Sequence, residues 1–323
     1  MTLWHHNLVV NETPSKRNQP IRLSLMNFFE LMNTFPTEES VCTYFIKLTY
    51  QKDVPSCPHC GIANPSQGRS NRFWHCNECE TSFSIFKGTI FEKTTTDLRK
   101  WMYAIHLFLN SKKGISGYQL QREIGVTYKT AWRMLKQIRT AMGSKEREMV
   151  TAIVEMGETY VGGKPRVEVG KPKDAKRGRG TKKTPVVGVV DRENNVVYAK
   201  VAKPNKEGKK LTGMQLFDVL NEAMKTPVEL MVQPLTVITD EFRAYNCFSK
   251  KNVIRLSVDH KVMFSDNGIH TNSVESFWAT LKRGVYGIYH HVSVKYLQNY
   301  VNEFCLSWNN RKGNAFDTLL LGA

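Results

Sequence analysis

The sequence has no long apolar run and is short of acidic side chains. No stretch approaches the roughly 20 apolar residues that a helix needs to cross a bilayer. Residues 1–20 also lack the hydrophobic core and the small-residue cleavage site of a secretion signal, which predicts an intracellular protein without membrane contact. The 46 lysines and arginines outnumber the 29 aspartates and glutamates, giving a net charge of +17. A surplus of this size speeds encounter with polyanions, so nucleic acid is the expected partner, and a merely basic enzyme is the alternative.

Cysteine is also scarce, yet four of the seven cysteines form two CxxC pairs separated by 15 residues. Two such turns let four thiolates complete a tetrahedral shell around one ion, so a zinc ribbon holding structural Zn²⁺ is predicted. Disulfides fit an intracellular chain poorly, and a redox CxxC does not explain two matched pairs. His59 and His75 are interpreted as neighbours, although either is an alternative ligand. The predicted zinc ligands are Cys57, Cys60, Cys76 and Cys79.

Composition divides the chain into four segments. Residues 1–40 form an N-terminal helical segment that ends near Pro36, and residues 41–93 form the Cys-rich, turn-rich zinc ribbon. Residues 94–145 are helical, and Gly and charged residues mark the boundary after them. Residues 150–323 alternate between strand and helix patterns, which predicts a mixed sheet flanked by helices and a multidomain α/β protein overall.

Residues 115–142 carry the pattern of a helix-turn-helix. Apolar positions precede and follow Gly125, which stands where the tight turn between two helices needs it. Basic and aromatic side chains on the outward face of the second helix suit a major groove of double-stranded DNA, and an ordinary helical hairpin with a solvated face is the alternative. The residues expected to contact DNA are Tyr128, Lys129, Arg133, Lys136 and Arg139.

Two carboxylates are placed where strand and helix patterns begin or end. Asp240 closes the apolar strand LTVITD, and Glu275 lies near the start of the helix NSVESFWATLKRG. Such a pair can hold divalent metals that promote in-line phosphodiester displacement. The alternative for Glu275 is a capping box with Asn272.

With these residues in view, the chain resembles bacterial insertion-sequence transposases that join a zinc ribbon to an RNase-H-like DDE domain, a group similar to eukaryotic Merlin elements. The resemblance rests on CPHCG, CNECE, FSIFKGTIFE, ETYVGGK, KKTPVVGVV, TDEFRAY, His260 and HTNSVESFWATLKRGVYGIYHHVS, and spans residues 41–316. It implies that Asp240 and Glu275 are the second and third catalytic carboxylates, which bind Mg²⁺. His260, His270 and Asn272 resemble residues that flank the site.

The chain departs from the family pattern at the first carboxylate, where Gly157 stands in place of Asp. Side chains alternate along a strand, so Glu158 is expected to face away, whereas Glu155 shares the face of position 157 at about 7 Å. Glu155 is therefore the one candidate for a weak substitute, and metal binding is expected to be weakened.

The resemblance implies a cytoplasmic, nucleoid-associated transposase that binds terminal inverted repeats, assembles as a homo-oligomer on DNA, and performs 3′-end cleavage and strand transfer into target DNA. Because of Gly157, this copy is expected to be impaired. The alternative is a catalytically silent DNA-binding derivative. The basic, Gly-rich segment Lys164–Thr184 is expected to contact the phosphate backbone.

Overall fold

The structure is a computed structural model. It describes residues 26–62, 65–68, 70–142, 149, 151–163, 183–202, 211–258, 269–311 and 319. Within these ranges, no helix combines the length and the apolar content that a membrane span requires.

Two short helices precede the Cys-rich segment. Helix α1 covers Phe28–Thr34 and helix α2 covers Glu38–Tyr50, and each begins with a capping box, at Asn27 and at Thr37. Helix α2 therefore spans the predicted segment boundary between residues 40 and 41. The spacing of the cysteines predicted the two CxxC turns, but it gives no information about where the preceding helix ends, which is Tyr50.

The Cys-rich segment folds into a small antiparallel sheet of three strands. Strands β1 (Pro65–Gln67), β2 (Phe73–Cys76) and β3 (Ser82–Ser84) lie in sequence order. This sheet buries few apolar side chains. Among the described residues, the buried members of its apolar cluster are Cys57, Cys76 and Phe83. So small a core supports the expectation that a metal stabilises this unit.

Three helices follow, α3 (Leu98–Asn110), α4 (Gly117–Ile124) and α5 (Tyr128–Met142). They share one apolar core with α1 and α2. Gly125 ends α4 in the left-handed region, with φ of 59°, where a residue without a β-carbon is favoured. The predicted turn between the two helices of the helix-turn-helix is thus confirmed.

The second half contains a five-stranded mixed sheet in the order β6-β5-β4-β7-β8. The strands are β4 (Ile153–Val161), β5 (Thr184–Asp191), β6 (Val197–Val201), β7 (Leu235–Asp240) and β8 (Val253–Val258). Strands β4, β5 and β6 form an antiparallel meander, and β7 and β8 run parallel to β4. The predicted meander and the strand ending on Asp240 are confirmed.

Helices cover both faces of this sheet. Helix α6 (Gly213–Ala223) packs with Val154 and Met156 on one face. Helices α7 (Asn272–Gly287) and α8 (Leu297–Asn309) pack on the other. Alternation along β4 therefore directs the side chains of residues 155 and 157 toward α7.

The helix-turn-helix contacts the second half through α5 and α8. Arg139 Nε donates to Glu303 Oε2 at 2.8 Å, and both side chains are buried, at 4% and 5% exposure. The guanidinium also lies 4.2 Å from the ring centroid of Tyr300. The prediction that Arg139 contacts DNA is wrong, because this side chain faces α8 instead of the outer surface.

Candidate catalytic site and metal centre

The four predicted zinc ligands converge. Their Sγ atoms all lie within 4.8 Å of one another, with Cys57 Sγ 3.6 Å from Cys79 Sγ and Cys60 Sγ 3.5 Å from Cys76 Sγ. A tetrahedral zinc with Zn–S bonds of about 2.3 Å requires S–S edges of about 3.8 Å, so this donor set fits the ion. All four are free thiols, which excludes the disulfide alternative.

The backbone of each CxxC turn explains how the thiols meet. The N–H of Gly61 donates to the Cys57 carbonyl at 2.9 Å, and Gly61 takes a positive φ of 77° that closes the first turn. In the second turn the N–H of Cys76 donates to the Thr81 carbonyl at 3.0 Å. His75 is engaged elsewhere, with Nδ1 3.1 Å from Ser82 Oγ. In the described part of the chain, neither His59 nor His75 belongs to the four-sulfur group.

Strand register brings position 157 beside Asp240. Strands β4 and β7 pair in parallel, with Glu155 opposite Ile238. Two residues further along each strand are Gly157 and Asp240, which therefore lie at the same level and point to the same face. Asp240 is half-buried at the end of β7, and its Oδ1 accepts from the Phe242 N–H at 3.0 Å.

The first turn of helix α7, which carries Glu275, packs against position 157. A β-carbon at position 157 would lie 3.2 Å from Cγ1 of Val274, the residue before Glu275. Glu275 is exposed, and Thr271 Oγ1 donates to its Oε1 at 3.5 Å. Gly157 thus lies beside Asp240, and the residue before Glu275 lies against position 157.

Glu155 has a structural role that its sequence position does not reveal. The side chain is fully buried, and Oε2 accepts from the N–H groups of Ser273 at 2.9 Å and Val274 at 3.1 Å. These are unpaired donors in the first turn of α7, where the helix dipole also favours a negative charge. Arg192 Nε lies 3.2 Å from Oε1. These bonds contradict the expectation that Glu155 is available as a substitute metal ligand.

The same cap removes the alternative interpretation of Glu275. Helix α7 begins at Asn272 and carries no side-chain cap from its preceding residue, Thr271. Asn272 therefore occupies the first helical position, and the capping box with Glu275 does not form. The carboxylate that satisfies this helix end comes from β4.

The other expected neighbours of the site divide into three groups. Glu158 faces away as predicted, since its Oε2 accepts from Tyr245 Oη at 3.1 Å on the α6 side. His270 joins the Glu155 group, with Nδ1 3.3 Å from Oε1 and Nε2 2.7 Å from Arg192 Nη2. His260 lies outside the described residues, as does the Lys164–Thr184 segment except for its last two residues. Sequence analysis missed Arg192, because nothing in its local pattern marks it as a partner of Glu155.

The outer face of α5 retains three of the five expected DNA contacts. Tyr128, Lys129 and Arg133 are exposed in the first turns of the helix. Lys136 is exposed too, but its Nζ lies 5.5 Å from the ring centroid of Tyr296, which belongs to the second half of the chain. The exposed basic surface is therefore concentrated at the N-terminal end of α5.

The five-stranded mixed sheet, with helices on both of its faces, is the architecture expected of an RNase-H-like transposase domain. Residues 149–309 match the family model described as the ISXO2-like transposase domain. This part of the chain is a DDE transposase domain of that family, whose enzymes cleave DNA and transfer its strands.

A relative and two solved structures extend the comparison. An uncharacterized protein in transposable element ISH50 of Halobacterium salinarum is 29% identical over 276 residues, covering 79% of this chain and 87% of the relative. A pre-cleavage Mos1 transpososome is similar at 14% identity and a TM-score of 0.29, covering 64% of this chain and 73% of that one. A Mos1 transposase paired-end complex with the left transposon end gives the same identity and TM-score over 65% and 73%.

Proposed function

We propose that this protein binds the terminal inverted repeats of an insertion element and that its catalytic centre, built for 3′-end cleavage and strand transfer, is impaired by Gly157. The observation that supports the proposal is the strand register, which sets Gly157 beside Asp240, with the first turn of α7 packed against position 157. Asp240 and Glu275 would hold Mg²⁺, and Gly157 offers no ligand atom. When bound, such ions activate the attacking oxygen and stabilise the leaving oxygen.

The residues of this chain supply the frame for that chemistry. Asp240 is oriented by the Phe242 N–H, and Glu275 is positioned because Glu155 ties the start of α7 to β4. The nearest carboxylate on the same face of β4 is thereby committed to the helix end. Two ligands in place of three weaken the site, and this weakness is the physical reason for proposing an impaired enzyme.

The proposed DNA-binding surfaces lie in the first half of the chain. Tyr128, Lys129 and Arg133 would enter a major groove from the N-terminal end of α5, as recognition helices do. The four-cysteine unit, stabilised by Zn²⁺, would add a second contact. Pairing two element ends requires at least two copies of the chain, so we expect a homo-oligomer on DNA that also captures target DNA.

A second candidate function, a catalytically silent DNA-binding protein, is favoured by the bonds of Glu155. If that carboxylate cannot leave α7, no residue among those described replaces the missing ligand on its face of β4. The protein would then occupy the element ends without cutting them.

One comparison separates the two. Cleavage and strand transfer are measured on DNA carrying the element's own ends, with Mg²⁺ or Mn²⁺, for the unaltered protein, Gly157→Asp and Gly157→Asn. The asparagine variant matches the aspartate in shape but lacks its charge. We expect activity in the aspartate variant alone, lost again on Asp240→Asn.

Two results would contradict the proposal. Equal activity of the unaltered protein and Gly157→Asp would show that the site is not impaired. Binding without cleavage by both proteins would favour the silent alternative and would locate the deficit beyond position 157.

A further inference from the structure

The indole of Trp278 lies over the middle of β4 and β5 with its N–H unpaired. The side chain is 6% exposed, and Nε1 is buried without a hydrogen-bond partner among the described residues. A buried indole N–H usually finds an acceptor, because leaving it unpaired forfeits the bond that it made with water. The position of this donor therefore needs an explanation.

Two glycines face each other beneath this ring, Gly157 on β4 and Gly188 on β5. A β-carbon at Gly188 would lie 2.7 Å from Cζ2 and 2.8 Å from Cη2 of Trp278, which no real β-carbon tolerates. Gly188 is therefore required by the ring. The neighbouring Phe277 ring packs 5.1 Å away, and both aromatics belong to the core between α7 and the sheet.

Gly157 is different, because the ring leaves room beside it. A β-carbon there would lie 3.6 Å from Trp278 Nε1, and its tightest contact would be 3.2 Å to Val274 Cγ1, a side-chain atom that would have to shift by a few tenths of an ångström. Position 157 pairs as an ordinary residue of the antiparallel ladder. The backbone does not require glycine at this position, and the clash that a β-carbon would meet is far smaller than at Gly188.

We propose that Trp278 is a positioning residue for a carboxylate at position 157, and that its N–H is a hydrogen-bond donor whose acceptor this chain has lost. The oxygens of an aspartate lie about 2.4 Å from its β-carbon by standard bond lengths. A rotamer that turns one oxygen toward the indole can therefore bring it within the 2.7–3.2 Å range of an N–H···O bond to Nε1. The proposal rests on the proposed function, in which position 157 belongs to the metal site.

The bond has a clear consequence for metal binding. Holding one carboxylate oxygen on the indole fixes the rotamer and leaves the other oxygen for a metal, as outer partners of metal ligands commonly do. Trp278 is one helical turn beyond Glu275, so the same helix would supply both a ligand and the donor that orients another ligand.

The first test observes the indole directly in metal-free protein. Proton–nitrogen spectra of the six tryptophan side chains are compared for the unaltered protein, Gly157→Asp and the matched control Gly157→Ala, with Trp278→Phe identifying the signal. We expect the Trp278 indole proton to move downfield in the aspartate variant and to stay near its original position in the alanine variant. Equal movement in both would overturn the proposal, since filling the space would then suffice.

The second test measures Mn²⁺ affinity by electron paramagnetic resonance without DNA. Gly157→Asp is expected to bind Mn²⁺ more tightly than Gly157→Ala. Adding Trp278→Phe to the aspartate variant is expected to weaken binding about 10–100-fold, the usual effect of losing an outer partner. Unchanged affinity in the double variant would overturn the role of Trp278.

The two proposals fail in distinguishable ways. An indole shift without restored DNA cleavage would support the role of Trp278 and contradict the proposed catalysis. Restored cleavage without an indole shift would support the proposed catalysis and contradict the role of Trp278. The comparison of Gly157→Asp with Gly157→Ala leaves Trp278 intact in both variants, and Trp278→Phe serves only to identify its signal.

Discussion

Replacing Glu303 by glutamine would leave the Arg139 guanidinium buried between α5 and α8 without its counter-charge. The pair is joined at 2.8 Å, and Tyr289 Oη donates to the second oxygen of Glu303. Burial, followed by the Glu303 charge, raises the pKa of Tyr289, so this phenol remains a donor across the working pH range. Removing one partner of a buried pair costs about 3–5 kcal/mol, because the remaining charge stays desolvated.

For Glu303→Gln we expect the lower part of that range, since the amide still accepts a hydrogen bond. The free energy of unfolding would be measured by urea titration, following tryptophan fluorescence and far-ultraviolet circular dichroism. The double variant Arg139→Met/Glu303→Leu should lose less than the sum of the single changes, because it removes both buried charges. The matched control is Glu222→Gln at the exposed ion pair with Lys200, where about 0–1 kcal/mol is expected. A loss below about 1 kcal/mol for Glu303→Gln would show that the ion pair does not hold the two halves together.

Four further outcomes follow from the structure. Cys76→Ser should lose the bound zinc, measured as metal content, and should expose the three-stranded sheet to limited proteolysis. Glu155→Gln should lower the free energy of unfolding by about 1.5–3 kcal/mol, because a charged acceptor at the start of α7 becomes neutral; an unchanged urea midpoint would contradict its capping role. Lys129→Ala and Arg133→Ala should each reduce the slope of log affinity against log salt by about 1 in DNA-binding titrations, if each contacts a phosphate. Burial raises the pKa of Cys42 to about 12, so at pH 8 its thiol should resist iodoacetamide in the folded protein and react only after unfolding.

Local patterns predicted the features that depend on neighbouring residues. Alternation along β4 placed Glu155 and Glu158 on opposite faces, and Gly125 marked the turn before α5, because strand pleating and the left-handed region are properties of a few consecutive residues. The spacing of the cysteines likewise predicted a common centre, since each pair closes within one turn.

Partners distant in sequence were not predictable in this way. Arg139 has the basic character of a DNA-contacting residue, but Glu303, 164 positions later, draws it into the interior. Glu155 was expected near a metal, whereas its main partners, the first turn of α7, lie 118 and 119 residues away. The charge of each side chain showed that it needs a partner, but only the tertiary structure shows which partner it has.

The hydrogen bonds of Glu155 to the start of α7 fix the position of this helix relative to β4 when the protein folds. Because a buried side chain of β4 holds the start of α7, the proposed ligand Glu275 would already be in place in the metal-free protein, and little reorganisation would remain for metal binding. Strain anywhere along this junction would then appear in two measurements at once, as a lower midpoint of unfolding and as a misdirected ligand. This arrangement of β4 and α7 does not depend on the residue at position 157, so an aspartate introduced there would meet a site whose other residues are already in place.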